Sequence, residues 1–172
     1  ASVATLYIEV VRGTPVLIQL FFIFYGLPSI GVKFSPFWAG AIGLGLNYAA
    51  YEAEIYRSGL FAIPRTQWES ALALGMTRWQ AMREVILPQA VRKVTPALMN
   101  DFIAMQKDVG LISVLGAVDA VRAAQIETAK FFNFTPYVLA GLLFVLLALP
   151  MIRLTDWYTA RLREREQVGG IV

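Results

Sequence analysis

Long uncharged runs alternate with short charged stretches along this chain, and the length of each run limits what it can be. No charge falls between Arg12 and Lys33, and the middle of that stretch reads Val16-Leu17-Ile18-Gln19-Leu20-Phe21-Phe22-Ile23-Phe24-Tyr25. A second uncharged run extends from Phe34 to Tyr51, before Glu52, and a third lies between Lys130 and Arg153, centred on Val138 to Leu147. A helix rises about 1.5 Å per residue, so roughly 20 apolar residues cross the ~30 Å hydrocarbon of a bilayer. All three runs approach that length. Tyr137 at one end of the third and Trp157 with Tyr158 at the other stand about one bilayer thickness apart, where interfacial aromatics belong. A fourth segment, Val94 to Gly110, is interrupted by Asp101, Lys107 and Asp108, charges that are costly unless they face protein or a water-filled path. The pattern predicts an all-α polytopic membrane bundle, a single domain over 1–172 with spans at about 14–32, 36–58, 90–108 and 136–158.

Three remaining segments read differently. Leu111 to Phe132 is amphipathic and predicts a partly buried helix with a loop at the membrane surface. Ala1 to Val11 reads as the end of an element rather than its beginning. There is no start methionine and no signal-peptide pattern of a basic start followed by an apolar core. The closing Gly169-Gly170 is expected to fray.

Charge placement sets orientation, since loops kept on the cytoplasmic side hold the excess of Lys and Arg. The connection between the second and third spans holds Arg57, Arg65, Arg78, Arg83, Arg92 and Lys93; the first connection holds only Lys33, and the Gly110 to Phe134 stretch only Arg122 and Lys130. The long connection and the C-terminus are therefore expected inside, with Arg12. Composition agrees: 58% of residues are hydrophobic and 16% charged, with mean hydropathy +0.59, which argues against a water-soluble enzyme. Zero cysteines and zero histidines remove disulfides, thiolate and imidazole metal sites and imidazole bases. The net charge of +3 is spread between apolar segments rather than gathered in a patch, so nucleic acid is not an expected partner.

Between Pro64 and Pro88 the pattern shifts to two short, soluble-looking helices. Thr66-Gln67-Trp68-Glu69 fits a capping box, and Gly75 fits a helix stop. Thr77-Arg78-Trp79-Gln80 fits a second box, opening a helix that runs to Pro88. Trp68, Leu72, Trp79 and Met82 would be large apolar groups free to meet a partner surface.

Glu69-Ser70-Ala71, three residues, Gly75, nine residues and Val85-Ile86-Leu87-Pro88 together resemble the EAA motif of ABC-importer permeases, with Ser70 in place of the first alanine and Val85 in place of isoleucine. Arg12-Gly13-Thr14-Pro15, Tyr25-Gly26-Leu27-Pro28 and Lys107-Asp108-Val109-Gly110-Leu111-Ile112-Ser113-Val114 are similar to the polar-amino-acid branch of that family, which usually has Thr-Ser where this chain has Val109-Gly110. The resemblance implies the type I permease fold, here without the family's first N-terminal helix. It also implies a bacterial inner-membrane location and a cytoplasmic loop over 64–88 that docks on ATPase subunits. Glu69, Ser70, Ala71, Gly75, Val85, Leu87 and Pro88 would carry that coupling. The implied partners are a second permease subunit, identical or not, an extracytoplasmic solute-binding protein and membrane lipid, with a polar amino acid as cargo. No cofactor would sit on this chain; it has no G-x-x-x-x-G-K-[ST] loop, so ATP would be hydrolysed by a partner.

Each of these residues also has a plainer reading. Glu69 would serve as a helix cap and Gly75 as an ordinary helix stop. On the second span, Gly40, Gly43, Asn47, Tyr51 and Glu54 share one stripe, and Ala41, Gly45, Tyr48 and Glu52 another, with small residues on both predicting close contacts on both sides. Glu54 has Arg57 three positions on, as for a local ion pair. Glu52 has no such neighbour. Glu52 and Asn47 are therefore expected to line the solute path, the alternative being a buried interhelical hydrogen bond, and an unpaired carboxylate there would favour a basic amino acid. Asp101, Met105 and Asp108 share a further stripe, whose charge Lys107 would offset. Phe131, Phe132, Phe134 and Tyr137 read as an interfacial belt rather than a substrate cage. Arg161, Arg163 and Arg165 alternate with Glu164 and Glu166 as a solvated tail near anionic headgroups. Competing readings of the whole chain are a stand-alone channel or secondary transporter, for which no inverted repeat is visible, and a scaffold that only recruits a soluble partner.

Overall fold

The computed structural model describes residues 2–169, with side chains except those of residue 163 and residues 165–169. The alternation of Arg163, Arg165 and Glu166, and Gly170 of the glycine tail, fall outside the described side chains and residues. All elements among the described residues are helical. They are α1 (Val3–Arg12), α2 (Val16–Phe21), α3 (Pro36–Phe61), α4 (Arg65–Ala73), α5 (Arg78–Gln80), α6 (Leu87–Asp108), α7 (Ala120–Phe131) and α8 (Thr135–Gly169). π-turns at Phe22–Gly26 and Ala81–Ile86 and 3-10 turns at Leu27–Ile30 and Val109–Leu115 join some of them.

Several boundaries differ from the pattern reading. Val3–Arg12 is helical, with Ser2 Oγ accepting from Thr5 N at 3.3 Å ahead of its first turn. The expected first span is an α, π and 3-10 succession over Val16–Ile30, set at 108° to α1. Pro15 forces the break, because it sits at the N-cap of α2 with no N–H to continue α1. Gly31 stops the run at φ +89°. Leu111 to Phe132 falls into two helical pieces separated by a loop. Gly116 ends the first at φ +90°, and Asp119 Oδ1 caps α7 by accepting from Arg122 N at 2.7 Å. By length and composition α8 is long and apolar enough to cross a membrane over Thr135–Leu162; the α1 and Val16–Ile30 pair, and the Arg78–Leu115 and Ala120–Phe131 pair bent by 47°, qualify when each pair is taken together.

The chain forms two compact units, one of Ala1–Tyr51 with Phe102–Ile152 and the other of Glu52–Asp101 with Arg153–Val172. In the first, Leu20, Ile23, Ala39, Leu44, Ile112 and Leu115 make the core. A Cβ on Gly40 would lie 2.4 Å from Ile112 Cγ2, and one on Gly43 2.6 Å from Leu20 Cδ2, so these glycines admit large aliphatic neighbours onto the α3 backbone. The second small-residue stripe is divided within this chain. Ala41 and Gly45 are exposed, while Tyr48 of that stripe is buried. In the second unit, Ile63, Ile86 and Ala90 form the core with Trp68, Met82 and Val85 around them. Gly59 meets Val94 there, where a Cβ would stand 2.1 Å from Val94 Cγ1, and Lys93 Nζ donates at 3.2 Å to Ala62 O just beyond the end of α3.

Candidate functional site

The segment from Pro64 to Pro88 folds as a helical hairpin whose bend is a glycine. Gly75 takes φ +80°, Met76 N donates to Ala71 O at 3.2 Å and Gly75 N donates to Leu72 O at 3.0 Å. That pair of bonds is the Schellman closure, and it requires the left-handed residue between them. Thr77 then restarts the helix through the expected capping box: Gln80 N donates to Thr77 Oγ1 at 3.3 Å and Thr77 N to Gln80 Oε1 at 2.8 Å. Buried Ala71 and Ala81 leave room for the two arms to approach.

Two expectations for this hairpin are corrected. The box at Thr66 does not form. Pro64, already extended at ψ 140°, is the residue before the helix, so Arg65 begins α4 and Thr66 lies inside it. Glu69 is released from capping and is exposed, 3.4 Å from Arg65 Nε one turn earlier, with Ser70 exposed beside it. Nor does Pro88 end the second arm. Ala81–Ile86 widens into a π-turn, Leu87 N donates to Met82 O five residues back, and the chain continues through Pro88 into α6. The wider turn moves the preceding carbonyls away from the pyrrolidine ring, which would collide with them in a regular helix. The apolar set also divides. Trp68 and Met82 pack inward on Ile63, Ile86 and Ala90 with Val85, whereas Trp79 and Leu72 stay exposed, joined by Leu74 and by Leu87 and Pro88. Gln89 Nε2 ties the two arms by donating to Gln67 Oε1 at 3.2 Å.

On α3, Asn47 is buried and donates through Nδ2 to Gln19 Oε1 at 3.3 Å, the interhelical hydrogen bond that stood as its alternative role. Gln19 was singled out by no sequence signal beyond its place in an apolar run. Its Nε2 donates to Val11 O at 2.8 Å and Thr14 O at 3.0 Å, so one side chain satisfies the carbonyls freed at the α1–α2 bend. Glu52 is half-buried and has no hydrogen bond or ion pair to a described residue, while Glu54 grips Arg57 twice, at 2.5 and 3.0 Å. Asp108 accepts from Tyr48 Oη at 2.9 Å, and Asp101 Oδ2 is buried with no hydrogen-bond partner among the described residues. Lys107 is exposed and pairs with no described carboxylate, so it does not offset this acidic stripe as expected.

Residues 1–164 match the family model described as binding-protein-dependent transport system inner membrane component. Among similar proteins are a probable amino-acid ABC transporter permease protein PatM of Vibrio harveyi, 43% identical over 95% of this chain and 75% of that protein, and the arginine transport system permease protein ArtQ of Bacillus subtilis (strain 168), 38% identical over 86% and 68%. A crystal structure of an amino acid ABC transporter with histidines superposes at TM-score 0.86, with 40% identity, covering 91% of this chain and 74% of its own. The inward-facing MetNI methionine ABC transporter matches at TM-score 0.73 and 22% identity over 92% and 73%, a likeness of fold.

Proposed function

The chain belongs to the family of binding-protein-dependent transport system inner membrane components, and from that premise we propose that it is the permease subunit of an amino-acid ABC importer. The observation that carries the mechanism is the unbroken path from the Gly75 bend through the Thr77 box and the π-turn into α6. A partner ATPase binding the exposed face of Glu69, Ser70, Leu72, Leu74 and Trp79 would push on a hairpin that is capped, packed and continuous with a long helix. Movement of the docked end is then handed to α6 rather than lost in a loose connection. Ala71, Val85, Leu87 and Pro88 serve this route by packing and by the π-turn, and Gly75 sets its angle. The hairpin and the C-terminus face the cytoplasm on this reading, ATP is held and hydrolysed by the partner, and a second permease subunit and a solute-binding protein complete the transporter. Glu52 faces the cargo, with Asn47 set by Gln19, and its carboxylate favours a basic amino acid.

Gly75→Val tests the coupling route. A β-branched residue at φ +80° is strained by about 1–2 kcal/mol, and open space surrounds the position, so the strain falls on the bend alone. Membrane insertion should match the wild type, and ATP hydrolysis stimulated by the solute-binding protein should be lost in reconstituted vesicles. Wild-type stimulation by that variant would overturn the route.

A further inference from the structure

We propose that Arg92 on α6 and Trp157, Tyr158, Arg161 and Leu162 on α8 form a binding site for the phosphate of an anionic phospholipid. The five residues line a cavity of about 170 Å³ that two arginines share and that no carboxylate lines among the described residues. Arg161 lies over the Trp157 ring, its Cζ 4.3 Å from the centroid, so the indole face orients one guanidinium. Neither arginine makes an ion pair with a described residue, although the Arg57, Arg65 and Arg83 side chains all do. Two forked donors without a carboxylate suit a phosphate oxygen pair. The site begins just past Arg153, where the apolar run of α8 ends, at the depth of a headgroup; Leu162 and the indole body offer apolar surface to glycerol and the upper acyl chain. Free phosphate shares the anion but gains nothing from those apolar walls. Placement in the cytoplasmic leaflet rests on the orientation proposed above.

Native mass spectrometry of the full chain in its assembled transporter tests the site, with phosphatidylglycerol, phosphatidylcholine and inorganic phosphate as probes. The wild type should retain phosphatidylglycerol in preference to phosphatidylcholine, and the preference should fall at least tenfold in Arg92→Gln/Arg161→Gln, a few-fold for each charge removed. Equal retention of the two lipids by the wild type, or an unchanged preference in the double variant, would overturn the proposal. So would displacement of the lipid by millimolar phosphate, which assigns the site to the free anion. Should the double variant fail to assemble, phosphatidylglycerol with brominated acyl chains should quench wild-type tryptophan fluorescence more than the brominated choline lipid, and Trp157→Phe should abolish the difference; a difference that persists sinks the site. Lipid retention is read without nucleotide or cargo, so its failure and failure of the permease reading are separable.

Discussion

Glu52 is half-buried and has no hydrogen bond or ion pair among the described residues, two residues before a glutamate that holds an arginine in two hydrogen bonds. The difference is one of register: a donor for Glu54, the Arg57 guanidinium, stands three positions on, one turn of helix away, and Glu52 has no cation at three or four. Were cargo to pass Glu52 in a partly desolvated cavity, as proposed, the attraction of its carboxylate for a cation would be worth about 1–3 kcal/mol. Glu52→Gln should therefore raise the KM for a basic amino acid by roughly tenfold or more while changing that for a neutral one less than twofold. Uptake of radiolabelled arginine and glutamine by the same vesicles measures both. Equal losses would remove Glu52 from the solute path. Asn47 belongs to a different account, because its amide nitrogen is committed to Gln19.

At the scale of elements, close approach is carried by glycine. Gly59 lets Val94 seat against the α3 backbone, and a methyl group there would overlap Val94 Cγ1. Gly59→Ala should destabilise by about 1–3 kcal/mol through overpacking, Val94→Ala should cost a similar amount through the cavity it leaves, and the pair together should cost less than their sum. Thermal unfolding in detergent gives all three values, and strict additivity would show that the two residues do not share the contact. Elements of this kind were unevenly legible in the sequence. The Thr77 box and the Gly75 stop were readable because their partners lie within three or four residues. Thr66 misled because Pro64, two residues earlier, already occupied the cap position, and Pro88 misled because a π-turn is a departure from the 3.6-residue period on which the stop rule depends. Trp68 and Met82 looked available to a partner because their burial is decided by Ile63, Ile86 and Ala90, which no local pattern connects to them. Gln19 is the sharpest case: its partners lie 5, 8 and 28 residues away, and its role appears only when the α1–α2 bend is in view.

For the whole molecule, the family and its helical fold were readable from motif spacing, while sidedness rests on charge alone. The hairpin and its flanks carry Arg57, Arg65, Arg78, Arg83, Arg92 and Lys93, and three of these arginines meet glutamates at the surface, pairs worth too little to hold a charge out of its preferred compartment. The far connection carries Arg122 and Lys130, and Lys130 is held by Glu127 at 2.8 Å. The excess of positive charge therefore lies with the hairpin, and the rule that loops rich in Lys and Arg stay on the cytoplasmic side predicts that the hairpin faces inside. The absence of cysteine from the sequence makes the point testable without background. Trp79→Cys and Phe132→Cys each replace a side chain that is exposed, at 71% and 90%, so a membrane-impermeant maleimide can reach either from the side it faces. In intact cells the label should attach to Phe132→Cys and spare Trp79→Cys; in inverted vesicles the pattern should reverse. Labelling of Trp79→Cys in intact cells would put the hairpin outside, where no ATP is supplied. The continuity of the hairpin with α6 would then have no motor to serve.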